Sequence, residues 1–310
     1  MTADLAKVHA GRRASHRWAR PRAGPRTSHR GAIRLAIALA ATLLFARPPL
    51  AVAADGAPNR IITLAPSATE LVYAAGAGAE IVGTVLSSDY PPAARDIPRI
   101  GDGIQFDQET ILALRPTLVV GWLPSGGSQA LATVLRNLGV PLIYANPRTL
   151  DEIPAQVRDL GWRLGTGPIA ARAANALQAR IGALSAPAGP PRSVFIEVGT
   201  DPLYTLGRDP LIDDLLSRCG GANVYASQTV AAPQVSVESV LRIDPDVVIV
   251  SPYGGQTLVA RRGYWANLGL SAAVRGHLYA VDPDWLHRAG PRLVDAAEAI
   301  CADLSASPKR

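Results

Sequence analysis

The 310-residue chain has 31 Lys and Arg against 25 Asp and Glu, a formal charge of +6. Residues 1–54 hold ten basic residues and one acid, a net +9, which subtracted from +6 leaves 55–310 at −3. The basic character belongs to the leader, so a nucleic-acid surface is excluded as the theme of the remainder. The length fits one large domain or two lobes.

The leader is basic up to Arg34, then carries the apolar run IRLAIALAATLLFA (33–46) and small residues in AVAAD (51–55). This is the pattern of a secretory signal cleaved near Ala53 or Ala54, and the run is short for a membrane span. Arg12-Arg13 stands too far ahead of it for a twin-arginine signal, and no cysteine near the cleavage point would take a lipid. A periplasmic destination is expected. In that oxidising compartment the only two cysteines, Cys219 and Cys301, are expected to bridge, two separate buried thiols being the alternative.

In chain order, RIITLA (60–65) reads as a strand, and PSATELVYAAGAG after it as a helix capped by Ser67 or Thr69 and ending at Gly76 or Gly78. IVGTV (81–85) is a short strand, SSDYPP (87–92) a loop, and Glu109 opens a helix that ends before Pro116. LVVGW (118–122) and VPLIYA (140–145) are strands with a helix between them. Strands apolar throughout, alternating with helices, indicate a parallel sheet covered on both faces. The second half repeats the order: strand 192–199, helix 210–221, helix 238–244, strand 246–251, strand 277–282 and a closing helix 292–304. Between the halves, apolar positions at helical spacing over 151–184 break at Gly165–Pro168, giving a helix to about Leu164 and a second from about Pro168 to Leu184. The expected organisation is a leader (1–54), an N-terminal α/β lobe (55–150), a helical spine (151–190) and a C-terminal α/β lobe (191–310). A rigid spine predicts little hinge closure.

The halves share more than order. ETILALRP (109–116) has a near-copy in ESVLRIDP (238–245), each followed by an apolar strand. Glu109 and Glu238 therefore hold equivalent positions in the first turns of their helices. Two explanations stand equally at this point: stabilisation of the helix start, or a pair of exposed carboxylates offered to a pseudo-symmetric partner bearing arginines.

Catalytic chemistry finds little support. Only His277 and His287 follow the leader, without metal-ligand spacing, and there is no P-loop, GxSxG elbow or GxGxxG after the first strand. No metal site, resident cofactor or enzymatic activity is expected. Aromatic and polar residues instead gather at strand ends and loops: Tyr90 in SSDYPP, Trp122, Tyr204, and Asp284, Trp285 and Arg288 in DPDWLHRAGPR (282–292). Ligands of open α/β sheets bind outside the carboxyl ends of strands, so two facing lobes would line a shared cleft. Core packing is the competing reading for each aromatic, and Asp284 and Arg288, four apart, would equally well pair with each other.

The runs RIITLAPSATELVYAAGAG…DYPP…ETILALRPTLVVGW, PQVSVESVLRIDPDVVIV and DWLHRAGPRLVDAAEAICADL resemble the periplasmic cobalamin-binding proteins of ABC importers, over almost all of 60–305. The resemblance implies two parallel-sheet lobes joined by a single long α-helix with the ligand cleft between them, a fold shared with haem- and siderophore-binding relatives. It implies a corrinoid ligand, docking of Glu109 and Glu238 on arginines of a permease dimer, a Cys219–Cys301 disulfide, and a monomer that meets the membrane only through the permease. Trp122, Tyr204, Asp284 and Arg288 match pocket positions, with Ser87, Tyr90 and Trp285 beside them. Cobalt is not expected to need a protein ligand. Three large aromatics of the pattern are replaced, at Ser87, within GDG (101–103) and at Ala232, which implies a roomier pocket. A haem binder using Tyr90, Tyr204 or Tyr253 and a siderophore binder are the same-fold alternatives, and a periplasmic hydrolase the different-class one.

Overall fold

The computed structural model describes residues 59–307; the leader and its cleavage site lie outside the described residues. The first sheet is built from β1 (Ile61–Thr63), β2 (Ile81–Gly83), β3 (Leu118–Gly121) and β4 (Leu142–Tyr144) in the order β2-β1-β3-β4, parallel throughout. The second contains β5 (Arg192–Thr200), β6 (Leu203–Thr205), β7 (Gly221–Asn223), β8 (Val247–Val250) and β9 (Leu278–Ala280). There β5 pairs in parallel with β7 and β8, and β8 with β9, so β7-β5-β8-β9 repeats the order of the first sheet. One strand departs from the parallel expectation. β6 folds back antiparallel on the far end of the nine-residue β5, because Asp201-Pro202 turns the chain at once instead of feeding a crossover helix.

The strands are buried because helices cover both faces. On the first sheet these include α1 (Pro66–Ala74), α2 (Gln108–Ala113) and α3 (Gly126–Asn137). Neither Ser67 nor Thr69 caps α1, contrary to expectation. The cap position is Ala65, without a side-chain bond, Pro66 opens the helix, and Ser67 and Thr69 are buried.

The connecting segment is two helices rather than one, α4 (Glu152–Arg163) and α5 (Gly167–Ala183). Gly165 makes the break, with φ +73 in the left-handed region. The two helices pack closely at Gly161, where a Cβ would lie 2.1 Å from the Cβ of Ala170. The 17-residue α5, about 25 Å long at 1.5 Å per residue, leads into β5. One cluster of buried apolar residues runs from Leu71 and Val72 of α1 through Leu160, Ala174 and Ile181 to Val194 and Ile196 of β5. The two sheets thus share a continuous core by way of the helical pair, within the compact unit Ala57–Arg310.

The second sheet is covered by α6 (Pro210–Arg218), α7 (Val237–Ile243), α8 (Leu258–Asn267), the short α9 (Ser271–Val274) and α10 (Pro283–Leu286), and the closing α11 (Leu293–Ala306). Glu197 of β5 is 1% exposed and accepts hydrogen bonds from Arg261 at 2.5 and 3.0 Å and from Trp265 Nε1 at 2.5 Å, so its charge is fully met by α8.

Cys219, at the end of α6, is bonded to Cys301 of α11, 82 residues on, with both residues buried. Replacing both by serine is expected to cost about 4–5 kcal/mol from the loop released in the unfolded chain. Urea denaturation of the double variant checks this, and an unchanged midpoint would contradict it.

Candidate functional site

The duplicated segment repeats down to single backbone angles. Asp107 accepts from the backbone N–H of Thr110 at 3.0 Å to cap α2, and Ser236 accepts from that of Ser239 at 3.1 Å to cap α7, each cap two residues ahead of its glutamate. Arg115 and Asp244, the residues before the two prolines, are left-handed at φ +46 and +47. A following proline disfavours the right-handed helical conformation, so both helices stop at the same place for the same reason. With the caps supplied by Asp107 and Ser236, Glu109 and Glu238 are left exposed. Hydrogen bonding by its own backbone N–H and by Ser236 holds the Glu238 carboxyl below its ordinary pKa, so it is charged at neutral pH and also senses the helix start.

At the carboxyl ends of the two sheets lies a cavity of about 200 Å³, walled by Trp122 from the first lobe and by Leu206, Ile212, Ala232 and His287 from the second. Trp122 follows β3 directly and is 40% exposed. Its other side lines a second cavity, about 150 Å³, with Gly103, Phe106 and Ser128. Ala232 and Gly103 of the GDG segment, two of the three places where an aromatic of the family pattern is replaced, therefore stand in these walls, where small residues leave the space open. Ser87 is exposed on its loop.

That loop is held at several points. The hydroxyls of Thr63, Thr69, Thr84 and Ser88, all completely buried, form a chain of hydrogen bonds of 2.7–2.9 Å. Arg99 donates to the carbonyls of Val85 and Ser88, both at 3.0 Å. Across the cleft, Arg288 donates to Asp89 at 2.7 Å, and the Arg292 guanidinium lies 4.2 Å from the centre of the Tyr90 ring.

The two arginines also meet Glu70 of α1, which is 3% exposed. Arg292 donates to it at 2.6 and 3.0 Å and Arg288 at 3.3 Å, while Arg288 donates at 2.7 Å to Asp284. Three carboxylates and two arginines thus tie the first lobe to the segment that follows β9. Burial alone would raise the Asp89 pKa, but the hydrogen bond and charge of Arg288 outweigh it and bring it below 3.8.

The sequence-expected residues consequently divide. Trp122 faces the cavity, and Tyr90 and Ser87 stand on the pinned loop. The pairing reading of Asp284 with Arg288 is realised, and Arg288 is spent on three carboxylates, although Asp284 keeps a side chain 44% exposed. Trp285 packs, partly buried, against the main core. Tyr204 sits on β6 over Gly199, where a Cβ would come within 3.2 Å of its ring. Tyr253 is 75% exposed on a loop after β8.

Glu70, Arg292 and His287 escaped sequence reasoning. The cluster's partners are about 200 residues apart, whereas His287 lies within the DPDWLHRAGPR segment already singled out. Ser251 Oγ and His287 Nε2 are 2.8 Å apart. Burial pushes the imidazole pKa below 6.5, against the raising influence of Asp209 and Asp284. Among the described residues no group of three or more His, Cys, Asp or Glu could hold a metal ion, and no helix is long and apolar enough to cross a membrane.

Two lobes of matching topology, a helical connection and a cleft at the strand ends define a solute-binding class of protein, and the periplasmic binding protein family matches residues 61–285. The chain belongs to that family. Among its relatives, the vitamin B12-binding protein of Pectobacterium atrosepticum is 37% identical over 263 residues, covering 83% of this chain and 92% of that one. The crystal structure of the periplasmic vitamin B12-binding protein of Vibrio cholerae is similar with a TM-score of 0.72 at 32% identity, covering 81% and 98% of the two chains. A periplasmic haem-binding protein from Roseiflexus, in its apo form, follows with a TM-score of 0.69 at 29% identity over 81% and 99%.

Proposed function

We propose that the protein captures a corrinoid, cobalamin in the first instance, in the periplasm and hands it to an inner-membrane ABC importer. The observation that carries this reading is the inter-lobe cavity walled by Trp122, in a chain related along most of its length to vitamin B12-binding proteins. The function is binding and docking, without covalent catalysis. Trp122 supplies a flat apolar face to the macrocycle edge or nucleotide loop. Tyr90 and Ser87 on their pinned loop and Tyr204 on the second lobe extend that contact. Asp284 accepts from amide groups of the ligand, while Arg288 and the Trp285 packing hold the segment that presents it. Glu109 and Glu238 are the carboxylates that meet arginines of the permease dimer, and the monomer is the working unit. The N-terminal leader directs export.

The contact with Trp122 has a direct test. Trp122→Ala is expected to weaken cyanocobalamin binding by about 2 kcal/mol, roughly 30-fold in Kd. Fluorescence quenching titrations of the two proteins measure it. A Kd within about twofold of wild type would remove Trp122 from the binding surface.

A further inference from the structure

We infer that an apolar groove on the first lobe, between the ends of α2 and α3, docks a short helical segment of a partner protein, one with small apolar side chains and a carboxylate for Arg115. The inference goes beyond the transport reading and does not depend on it. The groove has a volume of about 360 Å³ and is walled by Leu112, Arg115, Pro116, Leu135, Leu138 and Val140. Leu112 and Leu138 are 37% and 58% exposed. Pro116 and Val140 stand just ahead of β3 and β4, so the groove opens at the amino ends of the strands. A segment bound there leaves the cleft at their carboxyl ends free.

The duplication within the chain shows what such a surface accepts. Asn137-Leu138-Gly139-Val140 follows α3 in the first lobe as Asn267-Leu268-Gly269-Leu270 follows α8 in the second. Gly139 and Gly269 are both left-handed, at φ +70 and +81. The backbone N–H groups of Val140 and Leu270 donate to the carbonyls of Leu135 and Trp265 at 2.9 and 3.0 Å. From this point the lobes diverge: one residue, Pro141, leads into β4, whereas seven, 271–277, lead into β9. The additional chain forms α9, whose Ala272 and Ala273 are buried in one cluster with Val240, Trp265 and Leu270. Leu241, the counterpart of Leu112 in the copied octet, packs against that cluster. Asp244 fixes the start of α9, accepting from the backbone N–H and the hydroxyl of Ser271 at 3.2 and 2.9 Å.

The first lobe thus keeps the receiving surface while lacking the turn that covers it. Leu112 and Leu138 are left in solvent at the place where the second lobe lays down its own helix. An apolar patch of this kind beside a charge is characteristic of a protein contact, and a helical turn recognised by its apolar face is a recurrent way to fill one. Arg115 stands where the second lobe has Asp244, with the same left-handed backbone, and its guanidinium makes no ion pair among the described residues. The inverted charge sets the chemistry of the occupant: a carboxylate fits here where N–H and O–H donors fit the second lobe.

A peptide copied from the second lobe tests this against isotope-labelled protein by amide NMR: residues 267–278, acetylated and amidated, with Ser271→Asp to supply the carboxylate. Saturable shifts are expected at Leu112, Arg115, Leu135 and Val140. The same peptide with Ser271→Lys is expected to bind more weakly by about threefold or more. Leu138→Asp in the protein, a change at an exposed position, is expected to remove the shifts while leaving cyanocobalamin titration unchanged. Absence of saturable shifts in the wild type, equal binding of the two peptides, or shifts that persist in Leu138→Asp would overturn the inference. Sedimentation of the wild type as a dimer that Leu138→Asp dissociates would also overturn it, by assigning the groove to a second copy of this chain.

Discussion

Reversing both charges, Glu109→Arg with Glu238→Arg, is expected to abolish importer-dependent uptake while leaving ligand binding in solution unchanged. The physical case starts from the helix starts. A glutamate acting only as a cap would be the group that satisfies the first backbone N–H donors, but Asp107 and Ser236 already serve there. The carboxylates stand exposed, at equivalent positions of two segments that repeat even in the left-handed residue before proline. Against a permease dimer offering arginines in matching positions, each reversal replaces an attraction with a repulsion, and like-charge juxtaposition at an interface costs several kcal/mol. Two such contacts are enough to eliminate transport. Uptake of labelled cobalamin by cells carrying the double variant, beside a titration of the purified variant, separates docking from capture. Full uptake would reduce the glutamates to a local role at their helix starts.

Removing the Glu70 carboxylate is expected to have a large effect on both stability and binding. Glu70→Ala leaves two largely buried guanidinium groups short of their shared acceptor, and breaking a buried pair from one side typically costs about 3–5 kcal/mol. The unpaired partner dominates that cost. Removing Arg288 and Arg292 as well, for example as leucines, is therefore expected to recover much of the loss. Ligand binding should respond differently. The arginines also hold Asp89 and stack on Tyr90, so the triple variant regains stability without regaining the loop's anchor, and its cyanocobalamin affinity stays low. Urea denaturation and ligand titration on the same samples resolve the two effects. Restored binding in the restabilised variant would show that the ion cluster is mortar between the lobes and nothing more.

Much of this organisation could be read from the residues. Runs such as IITLA and VVIV are β-branched and apolar because both faces of their sheets are covered, and they locate seven of the nine strands among the described residues. The copied octet identified two equivalent helices, and the secreted context together with the cysteine count suggested the bridge now seen between α6 and α11. What escaped has physical causes. β7 is Gly-Ala-Asn and β6 is Leu-Tyr-Thr, too short and too mixed for a periodic signal, and α8 buries little beyond Trp265. Ser67 and Thr69 have the chemistry of caps, but hydroxyl partners brought from Thr63, Thr84 and Ser88 took Thr69 into the interior.

The site was partly legible for a similar reason. Trp122 declares itself by ending an apolar strand, and the topology of open sheets says where such a residue faces. Glu70 lies inside an apolar helix where a carboxylate has no local partner, and its arginines arrive from 218 and 222 residues away. No pattern in one strand or helix encodes that meeting. The same contact accounts for Arg288, whose chemistry suits ligand amides but whose two terminal nitrogens bond to Asp89, Asp284 and Glu70.

The central claim, that the cleft holds a corrinoid, is tested most directly by isothermal titration of the purified protein with cyanocobalamin, followed by haemin under the same conditions. The account predicts tight one-to-one binding of cyanocobalamin and no comparable heat with haemin. Stoichiometric binding of haemin with no response to cyanocobalamin would contradict it, keeping the fold and the transport role but assigning the cleft to a different tetrapyrrole.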